Sequence, residues 1–177
     1  MTRLLLYLFL LLAALLLQTV FLPPFFPAGM KPDLILLLTI WLGLRESPWR
    51  GGAIVYLLGC IYDVHAGTYP GLHGFVLLPI FLLVCGMATR LNTESLSLLW
   101  CLVVGGTLLQ AVLTVFALEF FADVKRFWWL MFDILPGQLL LNLAAGYLFW
   151  HLGRRWRRFC TRLAPRLPAR LRRPRAA

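Results

Sequence analysis

Long apolar runs separated by short polar breaks extend along most of the chain, and this pattern predicts six helices. Prolines, glycines and charged residues occupy the breaks, as expected where helices end. About 20 residues, at a rise of about 1.5 Å each, cross a bilayer core of about 30 Å. The second and third predicted helices reach only about 18 Å and are therefore short. The six predicted helices span residues 4–22, 33–44, 51–62, 72–88, 95–118 and 134–152.

The composition indicates that these helices lie in a membrane. Hydrophobic residues make up 61% of the 177 residues, charged residues make up 14%, and the mean hydropathy is +0.82. Soluble domains are nearer half apolar, and a soluble core of this size cannot hide so much apolar surface. We therefore expect an all-α integral membrane protein with a six-helix transmembrane domain at residues 1–152 and a cytoplasmic arginine-rich tail at residues 153–177. Prolines rather than a cleavage site follow the first apolar run, so this run is expected to stay as the first helix.

The net charge of +10 is unevenly placed, and its placement predicts the topology. With the N-terminus inside, the six spans put fourteen basic residues on the cytoplasmic side and three on the outer side. Because cytoplasmic loops carry the excess of Lys and Arg, both termini are expected in the cytoplasm. The basic tail abuts a span, which favours anionic lipid as its partner over nucleic acid, and a cytoplasmic protein is the open alternative. The tail arginines closest to the last helix are Arg154, Arg155, Arg157 and Arg158.

A carboxylate and a run of helix-breaking residues interrupt the apolar sequence after the third helix. Asp63 comes first, and Gly67, Pro70, Gly71 and Gly74 follow it. Asp63 lies near a helix C-terminus, where the helix dipole opposes a negative charge, so it needs hydrogen-bond donors. The sequence offers the backbone of the glycine-rich turn, together with His65 and Lys31, as donors. Two roles stay open for Asp63: it ties the turn down, or it binds a ligand or partner directly.

A second carboxylate, Asp33, is predicted at a similar height. It follows Pro32 at the start of the second helix and reads as a helix cap. Asp33 and Asp63 each lie twelve residues from the charged turn between the two helices, about 18 Å above the cytoplasmic interface. This depth is about 12 Å below the outer surface of the bilayer core, where backbone cannot face lipid unpaired. The sequence therefore predicts an outward-facing hollow next to the two carboxylates.

Other polar and aromatic positions point to packing or docking and not to catalysis. The aromatic run of Phe127, Trp128, Trp129 and Phe132 is typical of an interfacial belt, with a docking surface for another membrane protein as the alternative. Polar residues inside the spans predict interhelical hydrogen bonds; they are Gln18, Gln110, Gln138 and Asn142. No nucleophile–base pair, metal-ligand spacing or phosphate loop is visible, so neither an enzyme activity nor a cofactor or metal is expected.

Two segments together carry a recognisable motif. Residues 32–44 read PDLILLLTIWLGL and residues 57–75 read LLGCIYDVHAGTYPGLHGF. A Pro-Asp pair opens the second helix, a Gly-x-x-x-Asp segment follows, and a Gly-Leu turn precedes the fourth helix; these positions are Pro32, Asp33, Gly59, Asp63, Gly71 and Leu72. In this pattern, in its size and in its six predicted spans, the chain resembles the MreD family of rod-shape-determining membrane proteins.

The resemblance implies a non-enzymatic scaffold of the cell-elongation machinery in the bacterial inner membrane. MreD-like proteins partner MreC, and together they link MreB filaments to a glycan polymerase and its penicillin-binding transpeptidase in peptidoglycan synthesis. The family is also similar in fold to the substrate-binding subunits of energy-coupling-factor transporters. The alternative function is therefore that of a vitamin-binding subunit of such a transporter. A homodimer is left open.

Overall fold

The computed structural model describes residues 2–22, 24, 31–66, 69–89, 95–122 and 127–163, and all regular structure in these ranges is helical. Two compact units are present, residues 1–146 and residues 147–177. The helices are α1 (Thr2–Leu16, continued by a π-helix at Leu17–Phe21), α2 (Leu34–Gly43), α3 (Pro48–Ala66), α4 (Leu72–Ala88), α5 (Leu96–Ala122) and α6 (Phe127–Leu163).

Helix α2 forms the centre of the first unit. Eight of its ten residues are buried, and it packs against α1, α3, α4 and α5. A helix that is apolar on all sides is stable only when other elements surround it, and α2 meets that condition. At ten residues it is about 15 Å long, which confirms the prediction of a short second helix.

Helices α3 and α4 form the closest helix pair in the unit. A Cβ atom added to Gly59 would lie 2.3 Å from the backbone nitrogen of Gly74 and 2.4 Å from its Cα, so the two backbones touch at this point. Small residues allow such contact between helices in a membrane. The turn that enters α4 contains Gly71 with φ of 90°, a left-handed conformation that glycine adopts without strain.

The third helix is longer than predicted. The Gly51 N–H donates to the Ser47 carbonyl at 2.9 Å, so residues 48–50 form the first turn of α3 and do not belong to a loop. Pro48 suits this first position because its missing N–H is not needed there. With 19 residues α3 is about 28 Å long, close to the thickness of a bilayer core. The prediction of a short third helix was wrong.

The other helices agree with the pattern in position and differ at their ends. Helix α4 has the predicted bounds, and α5 continues four residues past its predicted end. Helix α6 begins at Phe127, so the predicted aromatic loop forms the first turns of this helix. Helix α6 also continues past residue 152 to Leu163, and the first part of the predicted basic tail is helical.

Large apolar side chains cover the outside of the first unit. Phe120 is 75% exposed, Phe9 68%, and Leu140 68%. Soluble proteins rarely expose such continuous apolar surface, whereas lipid tails solvate it without cost. Leu96–Phe120 and Met131–Leu152 are long and apolar enough to cross a membrane, and Phe9–Phe21, Leu34–Gly43 and Leu72–Ala88 are shorter apolar helices.

Candidate functional site

Asp33 caps helix α2, as its position after Pro32 predicts. Its Oδ1 accepts hydrogen bonds from the backbone N–H groups of Ile35 at 3.1 Å and Leu36 at 3.0 Å. These N–H groups have no partner inside the helix, and the positive end of the helix dipole favours the carboxylate. Asp33 is buried, so the cap lies inside the protein.

A chain of buried polar side chains then connects Asp33 to α5 and α6. Gln110 donates from Nε2 to Asp33 Oδ2 at 2.5 Å, and the Asp33 N–H donates to Asn142 Oδ1 at 2.7 Å. The Asn142 side-chain nitrogen donates to Thr107 Oγ1 at 3.0 Å, and Thr107 donates to the Val103 carbonyl at 2.8 Å. The start of α2 is therefore tied to both long helices by hydrogen bonds in a buried, low-dielectric site.

Asp63 is fully buried and is held by His73 at the start of α4. The His73 backbone N–H donates to Asp63 Oδ2 at 3.1 Å, and His73 Nδ1 lies 2.5 Å from Oδ1. A carboxylate only accepts, so Nδ1 carries the hydrogen in this pair. Because His73 is the second residue of α4, Asp63 also faces the positive end of that helix.

His73, which donates to Asp63, is not among the side chains that the sequence suggested as donors. His65 is exposed, and its Nδ1 lies 3.1 Å from the Ile61 carbonyl of its own helix. The ring of His73 meets the ring of Tyr62 edge to face at 4.6 Å between centroids. The need of Asp63 for donors was predicted correctly, and a backbone N–H near the glycine-rich turn supplies one of them.

The residues of the turn have separate positions. Gly71 begins α4, Gly74 contacts α3 through its backbone, and Pro70 is exposed. Gly67 lies outside the described residues. Asp63 and His73 bracket this turn, so their pairing fixes where α3 ends and α4 begins.

A cavity of about 140 Å³ lies beside Asp33. The residues that border it come from the π-helix that follows α1, the segment that enters α2, and helices α3, α4, α5 and α6. Its polar lining includes Gln18, Lys31, Asp33, Tyr62, His73 and Gln110. It occupies the end of the bundle where a hollow was predicted, and its opening towards the cell exterior stays a prediction.

Sequence reasoning identified some of this lining and missed the rest. The bonds of Gln110 and Asn142 confirm the predicted interhelical hydrogen bonding. Gln18 is 2% exposed, yet its Oε1 has no hydrogen-bond partner among the described residues. Thr107 and Thr114 were missed, although both share one face of α5 with Gln110 at helical spacing.

The predicted aromatic and basic positions lie on α6. Trp129 and Phe132 are exposed, as an interfacial belt requires. Phe127 and Trp128 are in the first turn of α6, and their side chains lie outside the described part. In the second unit, Arg154 and Arg155 are exposed, and the Arg154 guanidinium carbon lies 4.2 Å from the centroid of the Trp150 ring. Arg157 and Arg158 continue the same helix, with side chains that are not among those described.

Within the described residues, no group of three or more His, Cys, Asp or Glu side chains has a geometry that could hold a metal ion. The cysteines Cys60, Cys85 and Cys101 are free thiols. The polar groups near Asp33 and Asp63 are arranged to hold helices together and to line a small cavity.

An all-helical chain with an apolar exterior and buried carboxylates at one end of its helices belongs to the class of small helical membrane proteins. A family model described as rod shape-determining protein MreD matches residues 1–158, and the chain therefore belongs to the MreD family. Its role is in rod-shape determination, and the family is a shape-determining one and not a known enzyme family. The comparisons with curated proteins and with solved structures gave no match.

Proposed function

We propose that this protein is a non-enzymatic scaffold of the bacterial cell-elongation complex. It holds MreC in the inner membrane and, through MreC, connects MreB filaments with the glycan polymerase and the penicillin-binding transpeptidase. The observation that carries the proposal is the family match over residues 1–158. In this proposal six helices cross the membrane, with both termini in the cytoplasm and the starts of α2 and α4 towards the outside.

The arrangement around the turn between α3 and α4 supports a docking role. The Asp63–His73 pair and the Gly59–Gly74 contact hold both ends of the turn in place. The turn then presents Tyr69, which is 52% exposed, at the predicted outer end of the helices. Anchored ends reduce the conformational entropy that a segment loses when it binds a partner.

The cavity size bears on the alternative of a vitamin-binding transporter subunit. Pockets for drug-sized ligands have volumes of roughly 300–1,000 Å³. The cavity beside Asp33 has about 140 Å³. This difference favours the scaffold over the vitamin-binding subunit.

The scaffold is tested by Asp63→Lys with pull-down from membranes and mass spectrometry of the partners. Wild type is expected to bring down MreC. The variant is expected to lose it, because a lysine at this buried position faces His73 and the positive end of α4. Asp133→Lys is the matched control, since Asp133 is an exposed carboxylate in the first turns of α6 and the charge change is the same.

Expression in a strain lacking its own MreD, scored for rod shape, gives the functional readout. Both the wild type and Asp133→Lys are expected to restore rods. A stable, functional complex formed by Asp63→Lys would show that Asp63 has no role in docking the partner. Failure of wild-type protein to retain MreC would contradict the scaffold proposal itself.

A further inference from the structure

The cavity beside Asp33 has a chemistry that the scaffold role does not use. Nine of its eleven lining residues are polar or charged, and four of these nine are buried, although the hydrophobic core of the unit is close by. Polar side chains inside a membrane protein are costly unless each polar group has a partner. The groups that lack partners show what this cavity accepts.

Two buried carbonyl oxygens of cavity-lining residues have no hydrogen-bond donor in the described part of the chain. They are Oε1 of Gln18 and Oε1 of Gln110, on side chains of residues only 2% and 8% exposed. The orientation of Gln110 is fixed, because only its N–H₂ end can face the Asp33 carboxylate at 2.5 Å. An unpaired buried acceptor is costly, so these oxygens favour an occupant that brings N–H or O–H groups.

The charge beside the cavity indicates which donor fits best. Asp33 accepts from Ile35, Leu36 and Gln110, all of which are neutral donors. Lys31 also lines the cavity, but among the described residues neither its nitrogen nor any other Lys, Arg or His nitrogen lies within 4 Å of the Asp33 carboxylate. A buried negative charge of this kind is stabilised most by a cation at close range.

The volume limits the size of the occupant. The cavity volume of about 140 Å³ is roughly ten times the minimum that one water molecule needs, and about half the lower limit for drug-sized ligands. An ammonium or a guanidinium group fits this space, and both offer several N–H donors at once.

We propose that this cavity binds the ammonium or guanidinium group of a small cation, held by the Asp33 carboxylate and the carbonyl oxygens of Gln18 and Gln110. The terminal torsion of a glutamine is broad, so the Gln18 carbonyl turns towards the occupant at low cost, whereas the Gln110 carbonyl keeps the direction that its bond to Asp33 gives it. The group comes either from a free amine or from a Lys or Arg side chain of a bound partner. Only the second source rests on the scaffold function.

The test uses the purified full chain in lipid nanodiscs and measures its thermal unfolding midpoint. Methylammonium and methylguanidinium chloride are the probes. Tetramethylammonium chloride at equal ionic strength is the control, because it carries the charge without N–H donors. The two probes are expected to raise the midpoint in a saturable way, as ligands of the native state do, whereas tetramethylammonium is not.

A matched pair of variants then locates the site. Gln18→Leu removes one unpaired carbonyl at nearly constant size, and the response to the probes is expected to be lost. Thr39→Val removes another buried, unpartnered oxygen, but Thr39 on α2 does not line the cavity. The Thr39→Val variant is expected to respond to the probes as the wild type does.

Four results would overturn the proposal. The first is an equal response to tetramethylammonium, and the second is no response to any probe. The third is a response that survives in Gln18→Leu. The fourth is a response that appears only in Lys31→Met, since the cavity would then belong to the protein's own lysine.

Repeating the titration on the complex with its pulled-down partner separates the two sources. A response that disappears in the complex assigns the cation to a partner side chain, and an unchanged response assigns it to a free amine. Failure to retain MreC would remove the scaffold proposal but leave the response of the isolated chain unaffected. The two proposals therefore fail separately.

Discussion

At the scale of single residues, Asp33 and Asp63 have one feature in common: each places a negative charge at the start of a helix. Asp33 caps its own helix, α2, and Asp63 reaches across from α3 to the start of α4. The unpaired N–H groups and the helix dipole at these positions offset much of the cost of burying a carboxylate. This explains how two acids are stable inside a protein with an apolar exterior.

Replacement of Asp33 by alanine is predicted to destabilise the protein by about 1–3 kcal/mol. The cap is lost, and the Gln110 N–H₂ group is left buried without its acceptor. Asp33→Asn is expected to cost less, because asparagine also caps helices and Gln110 can rotate to present its carbonyl. Chemical unfolding in detergent measures the difference. An alanine variant as stable as the wild type would contradict this account of Asp33.

At the scale of helices, the direct backbone contact of α3 and α4 constrains how these two helices pack. Gly59 has no room for a side chain because the backbone of Gly74 occupies that space. Closely packed interiors shift only at a cost, so even one added methyl group there moves a whole helix. The same contact aligns Asp63 with the N-terminus of α4.

Gly59→Ala is therefore predicted to destabilise the protein by about 1–3 kcal/mol or more through overpacking. Gly105→Ala on α5 is the matched control, since no described atom outside its own helix lies within 4 Å of the added methyl group. Alanine also has the higher helix propensity, so the control is expected to be neutral or stabilising. Thermal unfolding midpoints of the two variants compare them directly, and equal midpoints would show that α3 and α4 do not touch at Gly59.

At the scale of the whole molecule, the lengths of α2 and α3 bear on where the polar groups lie. Helix α3 has the length of a full span, whereas α2 is about half that length. In the proposed topology the start of α2 lies below the outer surface of the bilayer core, and its polar groups are satisfied by Asn142 and Gln110 instead of by water. The unequal pair explains why a polar cavity can exist at one end of the helices.

The proposed topology predicts how two exposed positions react from outside the cell. Trp49 at the start of α3 is 91% exposed on the proposed cytoplasmic side, and Tyr69 is exposed on the proposed outer side. In a background without native cysteines, Tyr69→Cys is expected to react with a membrane-impermeant maleimide in intact spheroplasts. Trp49→Cys is expected to react only after the membrane is opened. Labelling of Trp49→Cys but not of Tyr69→Cys in intact spheroplasts would show that the proposed topology is inverted.

The sequence by itself determined the features that depend on neighbouring residues. The bounds of α4, the cap at Asp33 and the Gly-rich turn before α4 follow from apolar runs, caps and breakers within a few positions of one another. The family motif is also local, and the family match confirms the membership that it indicated. The length of α3 was misjudged because charged residues were assigned to a turn, although Pro48 is well suited to start a helix.

Only the tertiary structure decided which polar groups meet. Asp33 and Gln110 are 77 positions apart, and Asp33 and Asn142 are 109 apart, so their pairing depends on how α2, α5 and α6 pack. The choice of His73 over His65 as a donor to Asp63 depends likewise on the Gly59–Gly74 contact. Helix formation is a local property, whereas a buried hydrogen bond requires two surfaces that the chain brings together only when it folds.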